Sequence, residues 1–315
     1  MGTKEEILER LCQAAGRDVS GQELAAELGI SRTAVWKAIR MLQREGYRIA
    51  AGQNRGYRLE SAPDRLSETE IRSYLGGLDV CVLQTVDSTN TEAKRRVVAG
   101  LRTPLLLAAE EQTAGRGRQG KSFYSPRGVG AYLTLVVHPE AAILDAVSIT
   151  TRASVAVCRA IRKLTREEPE IKWVNDVYLH GKKCCGMLVE AVSDFETGVT
   201  KSLIIGIGVN MTNESFPEDL PNAAALRASG LSRNRLIAEI AAELLHETAD
   251  LQDRSYLEDY RAWSMVLGRE ITFLKEGVLR EGRAVDIDDQ GGLVVEDAQG
   301  ARQTLQSGEI TVRLR

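Results

Sequence analysis

The 315-residue sequence lacks the long apolar run that a membrane-spanning helix requires. Its longest apolar run, Leu203–Val209, is far shorter than the roughly 20 residues that a transmembrane helix needs. The charged, amphipathic start contains no apolar stretch typical of a signal peptide. Glu6 stands where a myristoylation motif needs Ser or Thr. We therefore expect a cytoplasmic protein without a membrane anchor.

Cysteine and histidine are scarce. The five cysteines are odd in number, and no spacing among them fits a zinc site, so we expect reduced thiols, as in cytosolic proteins. The three histidines stand in no Ser/His/Asp order, which argues against a hydrolytic triad.

The net charge is also small, at −3 from 41 basic and 44 acidic residues. The charge is nevertheless unevenly distributed. Residues 31–58 carry seven basic residues and one acidic residue, Glu45, for a local charge of +6, whereas the 255 residues after position 60 sum to −5. A basic segment in an acidic chain indicates a surface that binds nucleic-acid phosphates.

The basic segment coincides with a helix-turn-helix pattern. Ser20 and Glu23 form a capping box at the start of a second helix, Gly29 ends that helix, and Ser31 caps a third. The third helix of such a unit enters the major groove through its N-terminal residues. The predicted DNA contacts are Ser31, Arg32, Thr33, Trp36, Lys37, Arg40 and, from the following segment, Arg55.

A β-hairpin follows the third helix. Tyr47–Ala51 and Tyr57–Leu59 flank a glycine-bounded turn, which predicts a wing with Arg55 at its tip. The alternative is a protein-docking module with solvated charges, but the excess of basic residues favours DNA. A polar linker, Ser61–Asp64, follows, and we expect an N-terminal domain at residues 1–62.

Strand-like runs alternate with helical patterns from 65 to 267, where we expect the second domain. Several strands, including 170–173, 177–179 and 186–192, are too close together for helices between them. This predicts a mixed, largely antiparallel sheet in an α+β or mixed α/β domain, rather than a doubly wound nucleotide fold.

The motif GRGRQGKS at Gly115–Ser122 matches the Walker A pattern. A P-loop must lead directly into a helix, yet Pro126 and the glycines after it prevent one here. The composition indicates instead a cationic lid in which Arg116, Arg118 and backbone N–H groups close over an anionic ligand. The alternative is a basic loop with no role.

A second polar cluster, Lys172–Asp176, is followed by Lys183 and Gly186. The amide of Asn175 and the carboxylate of Asp176 suit Mg²⁺ coordination or acceptance of a proton from an amine. Lys183 can hold a carboxylate or a transferring phosphoryl group, and Gly186 lets its strand approach a flat ligand. A salt-bridged hairpin without a ligand is the alternative.

Five short strands are predicted after Gly268, at 271–274, 278–287, 293–296, 302–305 and 310–314. Short strands separated by glycines are typical of a small β-barrel. We expect a C-terminal domain at 268–315.

Six motifs together make the whole chain resemble the bifunctional biotin–protein ligases that also act as biotin operon repressors. The resemblance implies a winged helix-turn-helix, a mixed α/β ligase core of the biotin/lipoate type and an SH3-like C-terminal barrel. The motifs are DSTN at Asp87–Asn90, QTAGRGRQG at Gln112–Gly120, Ser125-Pro126, KWVND at Lys172–Asp176, KCCGMLVE at Lys183–Glu190 and GIGVN at Gly206–Asn210.

The resemblance also implies an activity and partners. Biotin and Mg-ATP would give biotinyl-5′-AMP and pyrophosphate, and biotin would then pass to a lysine of a biotin carboxyl carrier protein domain. The adenylate-bound protein would form a homodimer through the core sheet and repress transcription at operator DNA. The alternatives are a non-catalytic ligand-sensing regulator and a lipoate-type acyl ligase.

Site roles follow from the same resemblance. The catalytic residues would be Lys183, Arg118, Asp176 and Asn175, with Asp176 also a Mg²⁺ ligand. Biotin would contact Ser88, Thr89, Asn90, Gln112, Arg116, Gly117, Arg118, Lys183 and Gly186. The nucleotide would contact Gly115, Arg118, Lys121, Phe123, Lys172, Asn175 and Asn210.

Four positions depart from the family pattern. Phe123 stands in place of the usual Trp, Lys121 in place of Arg, and Val174 in place of the Pro in Lys-Trp-Pro-Asn-Asp. Ala131 stands where Asn, Ser or Leu is common. None of these changes removes a catalytic group.

Overall fold

The computed structural model describes residues 2–52, 55–139, 146–193, 200–275, 278–306 and 310–312. Positions 53 and 54 of the predicted hairpin turn, and 313 and 314 of the last predicted strand, lie outside this range. In the part of the chain that is described, no helix is both long and apolar enough to cross a membrane.

Three helices and a hairpin form the N-terminal unit, as predicted. The capping box joins Ser20 and Glu23, and Ser31 accepts a hydrogen bond from the Ala34 N–H. Gly29 adopts a φ of +63° between these two helices. The elements are α1 (Thr3–Gln13), α2 (Gly21–Glu27), α3 (Arg32–Arg44), β1 (Arg48–Gly52) and β2 (Gly56–Ser61).

A seven-stranded sheet forms the middle of the chain. Its strands are β3 (Asp79–Leu83), β4 (Leu105–Ala109), β5 (Gly130–Val137), β6 (Glu170–Lys172), β7 (Asp176–Leu179), β8 (Lys182–Ser193) and β9 (Thr200–Asn210). Their spatial order is β3-β4-β5-β9-β8-β7-β6. Only β3 and β4 run parallel; the other neighbours are antiparallel. The predicted mixed, largely antiparallel sheet is confirmed.

Helices cover the two faces of this sheet unequally. They are α4 (Glu68–Ser73), α5 (Thr89–Val98), α6 (Ala146–Leu164), α7 (Arg233–Ala249) and α8 (Tyr256–Ala262). The apolar stripes of α6 and α7 join the main core on one face, whereas α5 packs through Ala93 and Val97 against Ile204 on the other. The short helix α4 was not predicted; Ser67 caps its first turn.

The five predicted C-terminal strands form an antiparallel sheet but, in the part that the structure describes, not the closed barrel that their glycine-punctuated pattern predicted. They are β10 (Glu270–Lys275), β11 (Val278–Ile287), β12 (Leu293–Glu296), β13 (Arg302–Leu305) and β14 (Ile310–Val312). The order is β13-β12-β11-β10-β14. Within the described residues, β13 and β14 are the edges of an open sheet, and no pairing between them closes a barrel.

The first residues of α7 hold the segment that joins the N-terminal unit to the sheet. Arg233 donates to Asp64 Oδ1 at 3.0 Å and to the Asp64 carbonyl at 3.1 Å. Asn234 donates to the Arg65 carbonyl at 3.0 Å and accepts from the Ser67 N–H at 2.9 Å. The predicted polar linker therefore leads into a segment whose backbone is anchored to the core.

Candidate active site and nucleic-acid interface

A cavity of about 320 Å³ lies on the face of the seven-stranded sheet that carries α5. Strands β8 and β9 form its floor, and the N-terminus of α5, the glycine-rich loop and the segment before β7 form its walls. The lining residues are Ser88, Thr89, Asn90, Gln112, Arg116, Gly117, Arg118, Lys121, Ser122, Phe123, Lys172, Trp173, Asn175, Asp176, Lys183, Gly186, Met187, Leu188, Gly206, Ile207, Gly208, Leu220 and Ile310.

Glycines make the floor flat. Gly186 and Gly208 are paired across β8 and β9, and the Phe123 ring lies on both: a Cβ on Gly208 would lie 2.3 Å from that ring. A Cβ on Gly206 would lie 2.0 Å from Asn90 Oδ1. Because real contacts are never this short, side chains at Gly206 and Gly208 would displace the groups that cover the floor.

A chain of hydrogen bonds fixes the wall beside α5. The Gln112 Oε1 atom accepts from the Thr89 N–H at 2.9 Å and from the Thr89 hydroxyl at 3.1 Å. Gln112 Nε2 donates to Ser125 Oγ at 2.9 Å, and Ser125 donates to the Phe123 carbonyl at 3.0 Å. The start of α5 is thereby tied to the end of the glycine-rich loop.

The Asn90 side chain is almost fully buried, and both polar atoms of its amide form hydrogen bonds within the protein. Its Oδ1 atom accepts from the Thr134 hydroxyl at 2.7 Å. Its Nδ2 atom donates to the Leu188 carbonyl and to Glu190 Oε2, both at 3.1 Å. Asn90 therefore shapes the wall of the cavity through its contacts with β5 and β8.

The glycine-rich loop folds into a tight hairpin over the cavity. The Gly117 N–H donates to the Lys121 carbonyl at 2.7 Å, and the Phe123 N–H donates to the Gly115 carbonyl at 2.9 Å. The turn at its tip contains Gln119 and Gly120 with φ values of +55° and +75°. The next regular element after this turn is the strand β5 and not a helix, so the loop is not a P-loop.

Cationic side chains surround the cavity mouth. Arg118 Nη1 donates to Asn175 Oδ1 at 3.2 Å and so connects the lid with the segment before β7. The Lys183 ammonium lies 2.7 Å from Asp176 Oδ1. The Lys183 backbone is fixed because its N–H donates to the Asn222 carbonyl at 2.8 Å.

All but two of the residues predicted from the sequence to contact biotin or nucleotide line this cavity. The exceptions are Gly115 and Asn210. Gly115 lies at the base of the hairpin, where a Cβ would come within 2.4 Å of the Phe123 carbonyl oxygen. Asn210 Nδ2 donates to the Ala224 carbonyl at 3.2 Å and thus steadies the segment that pairs with Lys183.

The cysteines form no disulfide. Burial raises the pKa of Cys12 to about 12 and holds that of Cys185 well above its ordinary value. Among the described residues, no three His, Cys, Asp or Glu side chains form a metal-binding group. Burial therefore keeps the Cys12 and Cys185 thiols protonated at neutral pH.

The exposed face of α3 presents most of the residues predicted to contact DNA. Arg32, Thr33 and Lys37 are exposed, while Val35, on the opposite face, is buried. Trp36 is 54% exposed, and the Arg40 guanidinium lies 5.9 Å from its ring centroid. Ser31 serves as the N-cap, so its hydroxyl is engaged with the helix.

The hairpin β1–β2 lies against the same unit. Tyr57 forms a bridge with Val19, and a Cβ on Gly56 would lie 2.1 Å from the Val19 carbonyl oxygen, so the wing requires glycine here. Arg55 is exposed in the turn. Glu45, the single acidic residue of the basic segment, pairs with Lys4 at 2.6 Å and Arg65 at 3.1 Å.

Comparisons with known proteins match all three parts of the chain. Residues 82–210 match the biotin/lipoate A/B protein ligase family, residues 3–58 an HTH domain, and residues 266–313 the biotin protein ligase C-terminal domain. The bifunctional ligase/repressor BirA of Bacillus subtilis is 31% identical over 313 residues, covering 95% of this chain and 96% of that protein. The BirA of Escherichia coli is 31% identical, covering 95% and 94%.

The chain belongs to the biotin protein ligase family.

Solved structures of biotin protein ligases share the fold. The enzyme from Aquifex aeolicus in complex with biotin and ATP has 25% identity and a TM-score of 0.62, and the match covers 75% of this chain and 98% of that one. The family's C-terminal domain is thus present here as an antiparallel sheet.

Several residues that line the ligase cavity were not predicted from the sequence. Gly206 and Gly208 belong to the GIGVN motif, whose alternating glycines on one strand face were the available signal. Ile310 enters the cavity from β14, and the Trp173 indole N–H donates to the Gly291 carbonyl at 2.9 Å. No local sequence signal indicated these contacts with the C-terminal sheet.

Asp176 and Asn175 are the oxygen donors that could hold Mg²⁺ at the cavity. Asp176 is the only carboxylate that the described residues contribute to the cavity lining, and the Asn175 amide oxygen lies beside it in sequence. Mg²⁺ commonly binds one or two carboxylates together with substrate phosphates. The donors therefore fit a Mg²⁺ ion that arrives with a nucleotide.

Proposed function

We propose that this chain is an ATP-dependent biotin–protein ligase that forms biotinyl-5′-AMP, transfers biotin to a carrier-protein lysine and acts as a biotin-responsive repressor. The observation that carries the proposal is the pairing of a flat glycine floor with a cationic mouth. A fused ring system can take the place of the Phe123 ring over Gly186 and Gly208, while Lys183 and Arg118 face the carboxylate and phosphate groups.

Biotin binds with its ring system deep in the cavity. The walls around the ring are set by the hydrogen-bonded Thr89–Gln112 pair and by Asn90. The proposed biotin contacts are Ser88, Thr89, Asn90, Gln112, Arg116, Gly117, Arg118, Lys183 and Gly186. This placement directs the biotin carboxylate toward Lys183.

The first step joins biotin to AMP. A biotin carboxylate oxygen attacks the α-phosphorus of ATP, the bond to the β-phosphate oxygen breaks, and pyrophosphate leaves. Lys183 and Arg118 stabilise the negative charge on the transferring phosphoryl group. Asp176 would hold Mg²⁺, which would neutralise phosphate charge. The nucleotide contacts are Gly115, Arg118, Lys121, Phe123, Lys172, Asn175 and Asn210.

The second step transfers biotin to the carrier. The lysine amine attacks the acyl carbon of the mixed anhydride, an amide bond forms, and AMP leaves with the bonding electron pair. Asn175 orients the incoming amine, and Asp176 accepts its proton. Until the carrier arrives, the glycine-rich loop covers the adenylate and excludes water.

The N-terminal unit provides the repressor function. The third helix contacts operator DNA through Arg32, Thr33, Trp36, Lys37 and Arg40, and Ser31 orients the helix. The basic side chains, together with Arg55 of the wing, lie against phosphates. Adenylate binding favours a homodimer, which doubles the basic surface and links DNA affinity to the ligand. The proposed units span 1–62, 65–267 and 268–315, the last with an SH3-like arrangement of strands. The protein acts in the cytoplasm.

Biotin-dependent exchange of pyrophosphate into ATP tests the enzyme proposal. Purified protein should catalyse exchange with biotin and not with lipoate, and should then label a carrier domain. Biotin binding without exchange would identify a non-catalytic sensor. Exchange that is faster with lipoate than with biotin would identify a lipoate-type acyl ligase.

A further inference from the structure

Glu190 on β8 holds together three elements of the cavity. Its carboxylate accepts from Lys94 Nζ at 2.7 Å and from Asn90 Nδ2 at 3.1 Å, both on α5. Arg116 of the glycine-rich loop lies 3.2 Å from Oε1 and 3.3 Å from Oε2. The Glu190 side chain is only 14% exposed.

The positions of these residues follow from the periodicity of their elements. On a strand, alternate residues share a face, so Glu190 lies on the same face as Gly186 and Leu188 of the cavity. On a helix, residues four apart are neighbours, so Asn90 and Lys94 both face β8. Glu190 therefore continues the cavity floor to the point where α5 crosses it.

The surroundings favour the charged form of Glu190. Burial acts to raise the pKa of this carboxyl, but hydrogen bonds from Lys94 and Asn90 and the charge of Arg116 hold it below its ordinary value. A buried carboxylate forms strong, charge-assisted hydrogen bonds with cations beside it. Of the two cations that contact Glu190, Lys94 and Arg116, the more exposed is Arg116, at 43%. Glu190 therefore anchors the Arg116 side chain.

We propose that Glu190 is a positioning residue that fastens one side of the glycine-rich lid through Arg116. The proposal rests on the proposed ligase function for its consequence. Arg118 fastens the other side through Asn175, so the lid spans the cavity between two anchors. Loss of the Glu190 anchor frees the near side of the lid and shortens the time for which the adenylate is retained.

Limited digestion of the full-length protein by trypsin, without biotin or ATP, tests the anchor itself. The measured quantity is the rate of cleavage after Arg118, a bond common to all variants. Glu190→Gln should raise this rate roughly fivefold, the size expected for a partly exposed ion pair. Glu92→Gln is the matched control, because Glu92 lies on α5 but pairs with Arg95 and Arg96. Trypsin should cleave Glu92→Gln after Arg118 at the wild-type rate.

A substitution of Arg116, the ion-pair partner of Glu190, keeps the proposal testable if Glu190→Gln does not fold. Arg116→Gln changes a partly exposed side chain and should accelerate cleavage as much as Glu190→Gln does. The double variant should be no faster than either single variant, because one shared contact is lost. Wild-type cleavage in Arg116→Gln, or additive effects in the double variant, would overturn the proposal.

Release of preformed biotinyl-adenylate tests the functional consequence. Glu190→Gln should release it roughly fivefold faster than Glu92→Gln, with an unchanged thermal unfolding midpoint. Equal release rates would overturn the positioning role. If the wild type forms no adenylate, the ligase proposal fails, while the digestion result still decides whether Glu190 anchors the lid.

Discussion

Arg233 Nη1 donates a hydrogen bond to Glu110 Oε2 at 2.6 Å, and the two side chains are only 3% and 6% exposed. The other Glu110 oxygen accepts from the Leu66 N–H at 2.5 Å. Glu110 follows β4 and stands two residues before Gln112, which lines the cavity. The pair therefore connects the junction of the N-terminal unit with the wall of the ligase site.

Arg233→Met should destabilise the protein strongly, because it leaves the Glu110 carboxylate buried without its cation. We expect a loss of about 3–5 kcal/mol in the free energy of unfolding, measured by urea denaturation. Arg302→Met is the control: Arg302 is 67% exposed and pairs with Glu296, so its loss should cost less than about 1 kcal/mol. Similar losses in the two variants would contradict the importance of the buried pair.

Lys183→Ala should abolish most adenylation and leave the fold intact. Removing a group that stabilises developing phosphate charge lowers turnover by roughly 10²–10³-fold. The rate of biotin-dependent pyrophosphate exchange measures this effect. Lys182→Ala, one residue earlier on β8 and exposed, should retain exchange at the wild-type rate. Near wild-type exchange in Lys183→Ala would remove Lys183 from the mechanism.

Arg118→Gly should still form adenylate but release it early, because the lid loses its contact with Asn175. The released mixed anhydride reacts with any exposed lysine, so unrelated proteins in the mixture should become biotinylated. Mass spectrometry of a bystander protein detects the label. Arg102→Gly, at an exposed site, should label only the carrier domain. Labelling confined to the carrier in Arg118→Gly would refute the lid.

Replacing Arg32 and Lys37 by Ala should weaken operator binding and flatten its salt dependence. Each lost phosphate contact lowers the slope of log affinity against log salt by about 0.9, so the double variant should lose nearly two units. Fluorescence anisotropy between low and physiological salt measures the slope. Arg280→Ala, on the exposed part of β11, should keep the wild-type slope. An unchanged slope in the double variant would place the DNA surface elsewhere.

Glu70, where α4 meets the N-terminal unit, should make stability depend on pH. Burial raises the pKa of Glu70, although hydrogen bonds from Tyr47 and Asn234 oppose the shift. The folded protein therefore binds this proton more tightly than the unfolded chain, and the associated stability is lost as pH rises through the raised pKa.

Glu70→Gln has no proton to lose at that position. Relative to the wild type, it should gain stability between about pH 4 and neutral pH, since an unperturbed Glu has a pKa of about 4.3. Urea midpoints across this range give the comparison. Glu60→Gln, at an exposed site, should track the wild type. A constant difference between Glu70→Gln and the wild type would show that Glu70 does not titrate as described.

The sequence predicted the elements well because their signals are local. Ser20 and Ser31 cap helices at their own positions, and the glycine-rich motif folds on itself. The unpredicted contacts join distant residues. Arg233 and Glu110 are 123 positions apart, and Trp173 meets Gly291 across 118. Nothing at either position specifies its partner until the chain has folded.

The helix α4 illustrates another limit. It spans only Glu68–Ser73, too short for apolar periodicity to indicate a helix, and it is stabilised by contacts with α1 and α7. The sequence predicted only one of the two paired glycines of the cavity floor. Gly186 was expected to let its strand approach a ligand, but Gly208, which pairs with it across β8 and β9, was not predicted. Strand pairing is a tertiary property that one strand's sequence does not contain.

The cavity includes Ile310 of β14, and Trp173 is held by a turn of the same C-terminal sheet. The ligase core therefore does not build its site alone, because part of the wall comes from the C-terminal sheet. A protein made without that sheet would lose both contacts, and its cavity would be more open on this side.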